Sequence, residues 1–218
     1  MDHKSYLISN ALVGNKNSDG VLEFAYQGPL LKLVKGNTKI AVTGDVYFKI
    51  IKANNEEVLG KNNRSYNLNE GEHIDILATN KSVYGYLSVE GGFDIKNFFG
   101  SVSTLTKAKI GPNNGNKIKT ENEIIINKER KNKKNFKIEF LSETNDIIRV
   151  LKGPQHEYFS EESKKIFFSK FYKITNLTDR MGMRLEGNIL KNIKNTNIRS
   201  EGISKGAIQV PADGKPII

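Results

Sequence analysis

Apolar and polar positions alternate along most of this chain, and helical spacing appears at two places. In Asp2–Gly14, Leu7, Ile8, Ala11 and Leu12 fall at spacings of one, three and four, which is one apolar face of a helix. Asp2 suits the cap of that helix and Gly14 its stop. From Val21 the period drops to two. VLEFAYQ, LLKLVKG, TKIAVTG and VYFKII are short, rich in Val, Ile, Phe and Tyr, and separated by Gly or Asn. His73–Ala78 and Val83–Val89 continue the series. Short strands at this spacing predict an antiparallel barrel or sandwich rather than a βαβ fold. Glu129–Asn135, ERKNKKN, reads as a solvated linker. Beyond it the pattern predicts strands at Phe136–Leu141, Tyr172–Leu177, Arg180–Glu186, Asn197–Ser200 and Gly206–Val210. It also predicts a helix over Ser160–Lys170, with Ser160 as cap and Glu161 and Glu162 in its first turn.

Composition narrows the chemistry. The 218 residues hold one large domain or two small ones, with 37% hydrophobic residues and a net charge of +10. Much of the positive charge is lysine interspersed with asparagine, without the basic and aromatic motifs of nucleic-acid readers, so nucleic acid is not the expected partner. Cysteine is absent, which excludes disulfides and thiolate chemistry. His3, His73 and His156 are far apart, and no metal site is expected. No apolar run reaches the roughly 20 residues of a membrane span, and no secretory signal is visible, so a cytoplasmic setting is expected. Gly111–Gly115, GPNNG, lacks the Lys-Ser/Thr of a phosphate-binding loop.

The densest chemistry lies in Asp179–Gly187, DRMGMRLEG. There the charged residues Arg180, Arg184 and Glu186 share one parity, and Met181, Met183 and Leu185 share the other. A strand of period two puts the three charges on one face. This segment, with IRSEGISKGAIQVPADGKPII at the end, resembles the biotin-dependent carboxyltransferase family, also called the allophanate hydrolase subunit 2 family. Met1–Asn15, Tyr86–Thr104 and Ile148–Phe159 resemble the family's first helix, its glycine-rich middle and the start of its second half. The resemblance spans the whole chain and implies truncation at both ends relative to the family.

The resemblance implies a mainly β protein of cyclophilin-like antiparallel β-barrels with few helices. Residues 1–130 would form the first barrel with its N-terminal helix, and 136–218 a second barrel incomplete at its C-terminus. It implies a subunit of an ATP-dependent 5-oxoprolinase, or of a related amidohydrolase or carboxyltransferase, acting on a small lactam or urea-like amide. A companion subunit resembling allophanate hydrolase subunit 1 would be its partner. ATP is implied at the level of the complex, and biotin by the family's name. The alternative is a protein-binding regulator without turnover, or a degenerate remnant.

Such a site needs donors aimed at a developing oxyanion and a cationic fork for carbonyl or carboxylate oxygens. Arg180 and Arg184 offer the fork, and Glu186 an acid or base, as catalytic candidates. Gln209 offers an amide complementary to a substrate amide, and Gly91, Gly92 and Gly206 offer backbone donors, as substrate-binding candidates. One departure stands out. In Phe99–Thr104, FGSVST, the family usually carries an arginine between the two serines, and this chain has Val102.

Overall fold

The computed structural model describes residues 2–127, 134–139, 147–194, 198–199 and 202–218. The chain forms two compact units, Met1–Ser142 and Glu143–Ile218. Most of the expected linker, residues 129–133, lies outside the described residues, as do the ends of the strands expected at 136–141 and 197–200.

Unit 1 opens with α1, His3–Leu12. Asp2 caps it, its Oδ1 accepting from the Ser5 N–H at 3.0 Å. The helix buries Ser9, Asn10 and Leu12 and leaves Ala11 exposed, so the face toward the sheet is partly polar. The Ser88 hydroxyl donates to the Ser9 carbonyl at 2.6 Å, and the Asn10 amide to the Asp19 carbonyl at 2.9 Å. These bonds offset the cost of burying polar groups.

Eight strands follow: β1 Leu22–Ala25, β2 Leu30–Lys32, β3 Asn37–Thr43, β4 Val46–Ile51, β5 Glu57–Leu59, β6 Arg64–Asn69, β7 His73–Thr79 and β8 Tyr84–Val89. They form two four-stranded sheets, ordered β1-β8-β3-β6 and β2-β7-β4-β5, with every pairing antiparallel. Alternation decides which side chains meet. Ile40 and Val42 of β3, Leu87 and Val89 of β8, Phe48 and Ile50 of β4, and Ile74 and Ile76 of β7 share one core with Phe24, Val46, Leu68 and Phe93. The opposite face of β3 meets the helix, where Ala41 packs with Leu12 and Val13.

Neither sheet closes on itself, which corrects the expected cyclophilin-like antiparallel β-barrels. Each sheet keeps two outer strands that do not pair with each other, β1 and β6 in one and β2 and β5 in the other. Between β1 and β2 the chain runs through Tyr26, in left-handed conformation at φ 63°, and Pro29, which has no N–H for a ladder. Between β5 and β6 it runs through Asn63 at φ 59°. At the first passage the Tyr26 N–H donates to the Val83 carbonyl and the Tyr26 carbonyl accepts from the Thr79 N–H, and at the second the Asn63 N–H donates to the Val42 carbonyl. On the outer edge of β6, Lys137 bridges Arg64, and the Ser65 N–H donates to the Phe136 carbonyl at 2.9 Å.

Unit 2 contains α2, Glu161–Ser169, and the antiparallel pair β9, Lys173–Ile174, and β10, Leu185–Glu186. Ser160 caps α2 through its hydroxyl, which accepts from the Ser163 N–H at 3.1 Å. Leu185 and Leu190 are the buried hydrophobic side chains of this unit among the described residues.

Candidate functional site

The segment Asp179–Gly187 is not one continuous strand. Asp179 and Gly182 pair across a tight turn with reciprocal 3.2 Å backbone bonds, and the Met181 N–H donates to Asp179 Oδ1 at 2.7 Å. Arg180 therefore sits at an exposed hairpin tip rather than on a strand face with Arg184. The alternation of charge in DRMGMRLEG hid this turn. Gly182, at φ 153°, and the side-chain cap from Asp179 are what allow it.

Past the turn, the last residues of the chain enter the sheet. The Met183 N–H donates to the Ile218 carbonyl, the Ile218 N–H returns a bond to Met183, and the Leu185 N–H donates to the Pro216 carbonyl. Ile217 is thereby placed opposite Arg184, and on its other side it exchanges bonds of 2.9 and 2.8 Å with Gln209. Residues directly opposite in a ladder project to the same face. Arg184, Ile217 and Gln209 form one row, with Arg184 and Gln209 two strand spacings, about 10 Å, apart. Glu186, two residues beyond Arg184, lies on the same exposed face, while Leu185 between them is buried.

Arg184 also holds a neighbouring loop. Its Nη1 donates to the Leu177 carbonyl at 3.0 Å, and its own carbonyl accepts from the Thr175 N–H at 2.9 Å. Within the loop the Leu177 N–H donates to Thr175 Oγ1, and the Thr178 hydroxyl to the Thr175 carbonyl. Asn176, Leu177, Thr178, Asp179 and Arg184 line an open cavity of about 470 Å³. Asn176, Leu177 and Thr178 are absent from the candidates chosen on sequence. Their signal was the run TNLTD, whose residue types favour side-chain-bonded turns.

The glycine candidates fare differently. Gly206 lies in an exposed turn at φ 89°, where the Ala207 N–H donates to the Ser204 carbonyl. Gly91 and Gly92 belong to unit 1 and are buried. The Gly91 N–H donates to Asn15 Oδ1 at 2.9 Å and the Gly92 N–H to the Val89 carbonyl at 3.0 Å. Their carbonyls accept from Asn127. Both amides thus have internal acceptors: the Gly91 bond ties the end of β8 to the loop after α1, and the Gly92 bond closes the turn that follows β8. A second open cavity, in unit 1, of about 380 Å³, is lined by Asp2, Lys4, Ser5, Asp45, Asn62 and Ser82 among others.

The 111–115 loop is tied by its own backbone bonds. The Gly115 N–H donates to the carbonyls of Gly111 and Pro112, and the Asn116 N–H to that of Asn113, so these amides bond within the loop. No cluster of metal-ligating side chains occurs among the described residues, and no helix among them is long and apolar enough to cross a membrane.

Known proteins are similar to this chain in sequence and in fold. A 5-oxoprolinase subunit of Escherichia coli (strain K12) is 27% identical over 222 residues, taking in 100% of this chain and 69% of the relative. The urea amidolyase of Saccharomyces cerevisiae is 27% identical over 199 residues, covering 86% of this chain and 11% of that protein. The crystal structure of the K. lactis urea amidolyase superposes with a TM-score of 0.82 at 25% identity, across 100% of this chain and 14% of the solved one. The family model described as carboxyltransferase domain, subdomain A and B, matches residues 1–218, and the chain belongs to that family.

Proposed function

We propose that this chain is a subunit of an ATP-dependent 5-oxoprolinase, or of a related amidohydrolase or carboxyltransferase complex, acting on a small lactam or urea-like amide. Its partner in this reading is a companion subunit resembling allophanate hydrolase subunit 1. The observation that carries the reading is the row in unit 2 where Arg184 and Gln209 flank Ile217 on one exposed face.

A guanidinium on that face stabilises negative charge developing on a carbonyl oxygen as the amide carbon is attacked. The Gln209 side chain presents both an acceptor and a donor to the amide and fixes its orientation. Glu186, on the same face, is the group available to take or return a proton. Arg180 at the hairpin tip and the Gly206 turn complete the candidate set at its margin. Since the Gly91 and Gly92 amides have internal acceptors, the oxyanion donors in this reading come from side chains. ATP enters this reading at the level of the complex. Biotin enters only in the carboxyltransferase form of this reading, as carrier of the transferred carboxyl group.

The test is ATP-dependent release of glutamate from 5-oxoproline by this chain assembled with its companion subunits. Glutamate release that is lost in Arg184→Ala, with assembly intact, supports the reading. An assembled, folded complex without turnover on lactam or ureide would sink it.

One observation favours a second reading, a protein-binding module without turnover. Unit 2 exposes large apolar side chains, among them Leu151, Phe168, Phe171 and Met181, which suit a protein interface. That reading expects wild-type behaviour when Arg184 is replaced.

A further inference from the structure

The loop Thr175–Asp179 lines the cavity beside Arg184 with three polar side chains, yet two of them are already engaged. The Thr178 hydroxyl donates to the Thr175 carbonyl, and Asp179 Oδ1 accepts from the Met181 N–H. Asn176 is different. It lines the same cavity, is exposed, and makes no side-chain hydrogen bond among the described residues. Its primary amide carries an acceptor and two donors in one plane, the complement of a lactam or ureide edge.

The loop that carries Asn176 has a defined shape because its bonds are local. Thr175 Oγ1 accepts from the Leu177 N–H, and the Leu177 carbonyl accepts from Arg184 Nη1. The second of these ties the residue next to Asn176 to the strand segment of Arg184. A guanidinium with one Nη committed in this way retains its Nε and other Nη as a single two-donor edge. Arg184 therefore sets both the loop position and the direction of its own remaining donors.

We propose that the 175–179 loop is the recognition element of this site. Asn176 is its specificity-determining residue, reading the planar amide of the substrate. Arg184 acts on Asn176 as a positioning residue through the Leu177 carbonyl. The inference rests on the proposed activity toward a small amide, and names a contact that the candidate set of Arg184, Glu186 and Gln209 does not include.

The experiment titrates the full chain with 5-oxoproline and with urea, reading backbone amide shifts by NMR, and measures amide hydrogen exchange without ligand. In the wild-type chain the probe shifts fall on residues 176–179. Asn176→Ala weakens binding about tenfold, the loss of one to two well-placed hydrogen bonds. Arg184→Ala weakens binding as much and speeds exchange at Leu177 about tenfold. Arg184→Lys, which still donates to the Leu177 carbonyl, restores the slow exchange. Binding elsewhere on the chain, or binding unchanged in Asn176→Ala, overturns this inference and leaves the proposed activity standing. An absence of binding anywhere, for both probes, overturns this inference, and the proposed activity is judged separately by turnover of the assembled complex. Exchange at Leu177 unaffected by Arg184→Ala overturns the positioning role alone.

Discussion

The two units of this protein are held by different forces. Unit 1 closes eleven buried residues from two sheets, together with Phe93, into one core, and unit 2 buries only Leu185 and Leu190 among its described hydrophobic side chains. What orders unit 2 is a set of short-range bonds: the Ser160 cap, the Asp179 turn, the Arg184–Leu177 tie and the ladder through Ile217. A core gains about 25 cal/mol for each Å² of apolar surface removed from water, while a hydrogen bond adds a net of about 0.5–1.5 kcal/mol. Packing therefore dominates the stability of unit 1, and polar geometry shapes the segments of unit 2 in which the proposed site lies. Site-bearing segments held by few buried contacts are also the ones that open most readily.

Perturbations should separate the two regimes. The largest effect is expected in the core. Phe48 is 2% exposed and packs edge-on to Tyr66, so Phe48→Ala should cost about 3–5 kcal/mol in chemical denaturation, mostly through the cavity it leaves. Next comes Gly182→Ala. A Cβ there would stand 2.7 Å from Ile217 Cγ2, on a backbone at φ 153°. It should cost about 1–3 kcal/mol by crowding. The diagnostic readout is hydrogen exchange, which should rise at Met183, Ile217 and Ile218 while β3 and β8 keep their protection.

Glu72 gives a pH-dependent test of unit 1. Burial on its own raises this carboxyl, but the Asn69 N–H at 2.8 Å and Lys52 at 3.1 Å hold it below its ordinary value of 4.5. A depressed carboxyl stabilises the fold above its unfolded pKa, and that contribution is lost as pH falls through the folded value. Glu72→Gln should then lose about 1–2 kcal/mol at neutral pH. The gap to wild type should close in urea titrations below pH 4.5. The smallest effect is Ser160→Ala, about 1 kcal/mol from losing the α2 cap, read as reduced helicity and faster exchange at Ser163.

The sequence was most legible where local chemistry decides. Asp2 and Ser160 cap helices as their residue types require, and the apolar alternation of β3, β4, β7 and β8 marks their strands. β6, RSYNLN, escaped notice because its buried positions are Ser65 and Leu68 in a polar frame. Barrel closure was an expectation of the resemblance; alternation leaves barrel or sandwich open, because it specifies a face and not whether an edge finds a partner, and β1, β6, β2 and β5 remain edges. In the candidate site, Arg184, Glu186 and Gln209 were legible as residue types. Their placement was not, since it depends on Ile217 entering between two distant segments. Gly91 and Gly92 were read as donors, and only the fold supplies Asn15 and Val89 as their acceptors.

The central claim is that the row Arg184–Ile217–Gln209 carries the chemistry. The most direct measurement is kcat/KM for ATP-dependent 5-oxoproline hydrolysis by the assembled complex, comparing wild type with Arg184→Ala, Gln209→Ala and the double variant. The account predicts losses of at least about tenfold in each single variant. In the double variant it predicts a loss smaller than the product of the two, with assembly unchanged. A double variant turning over at the wild-type rate would contradict it.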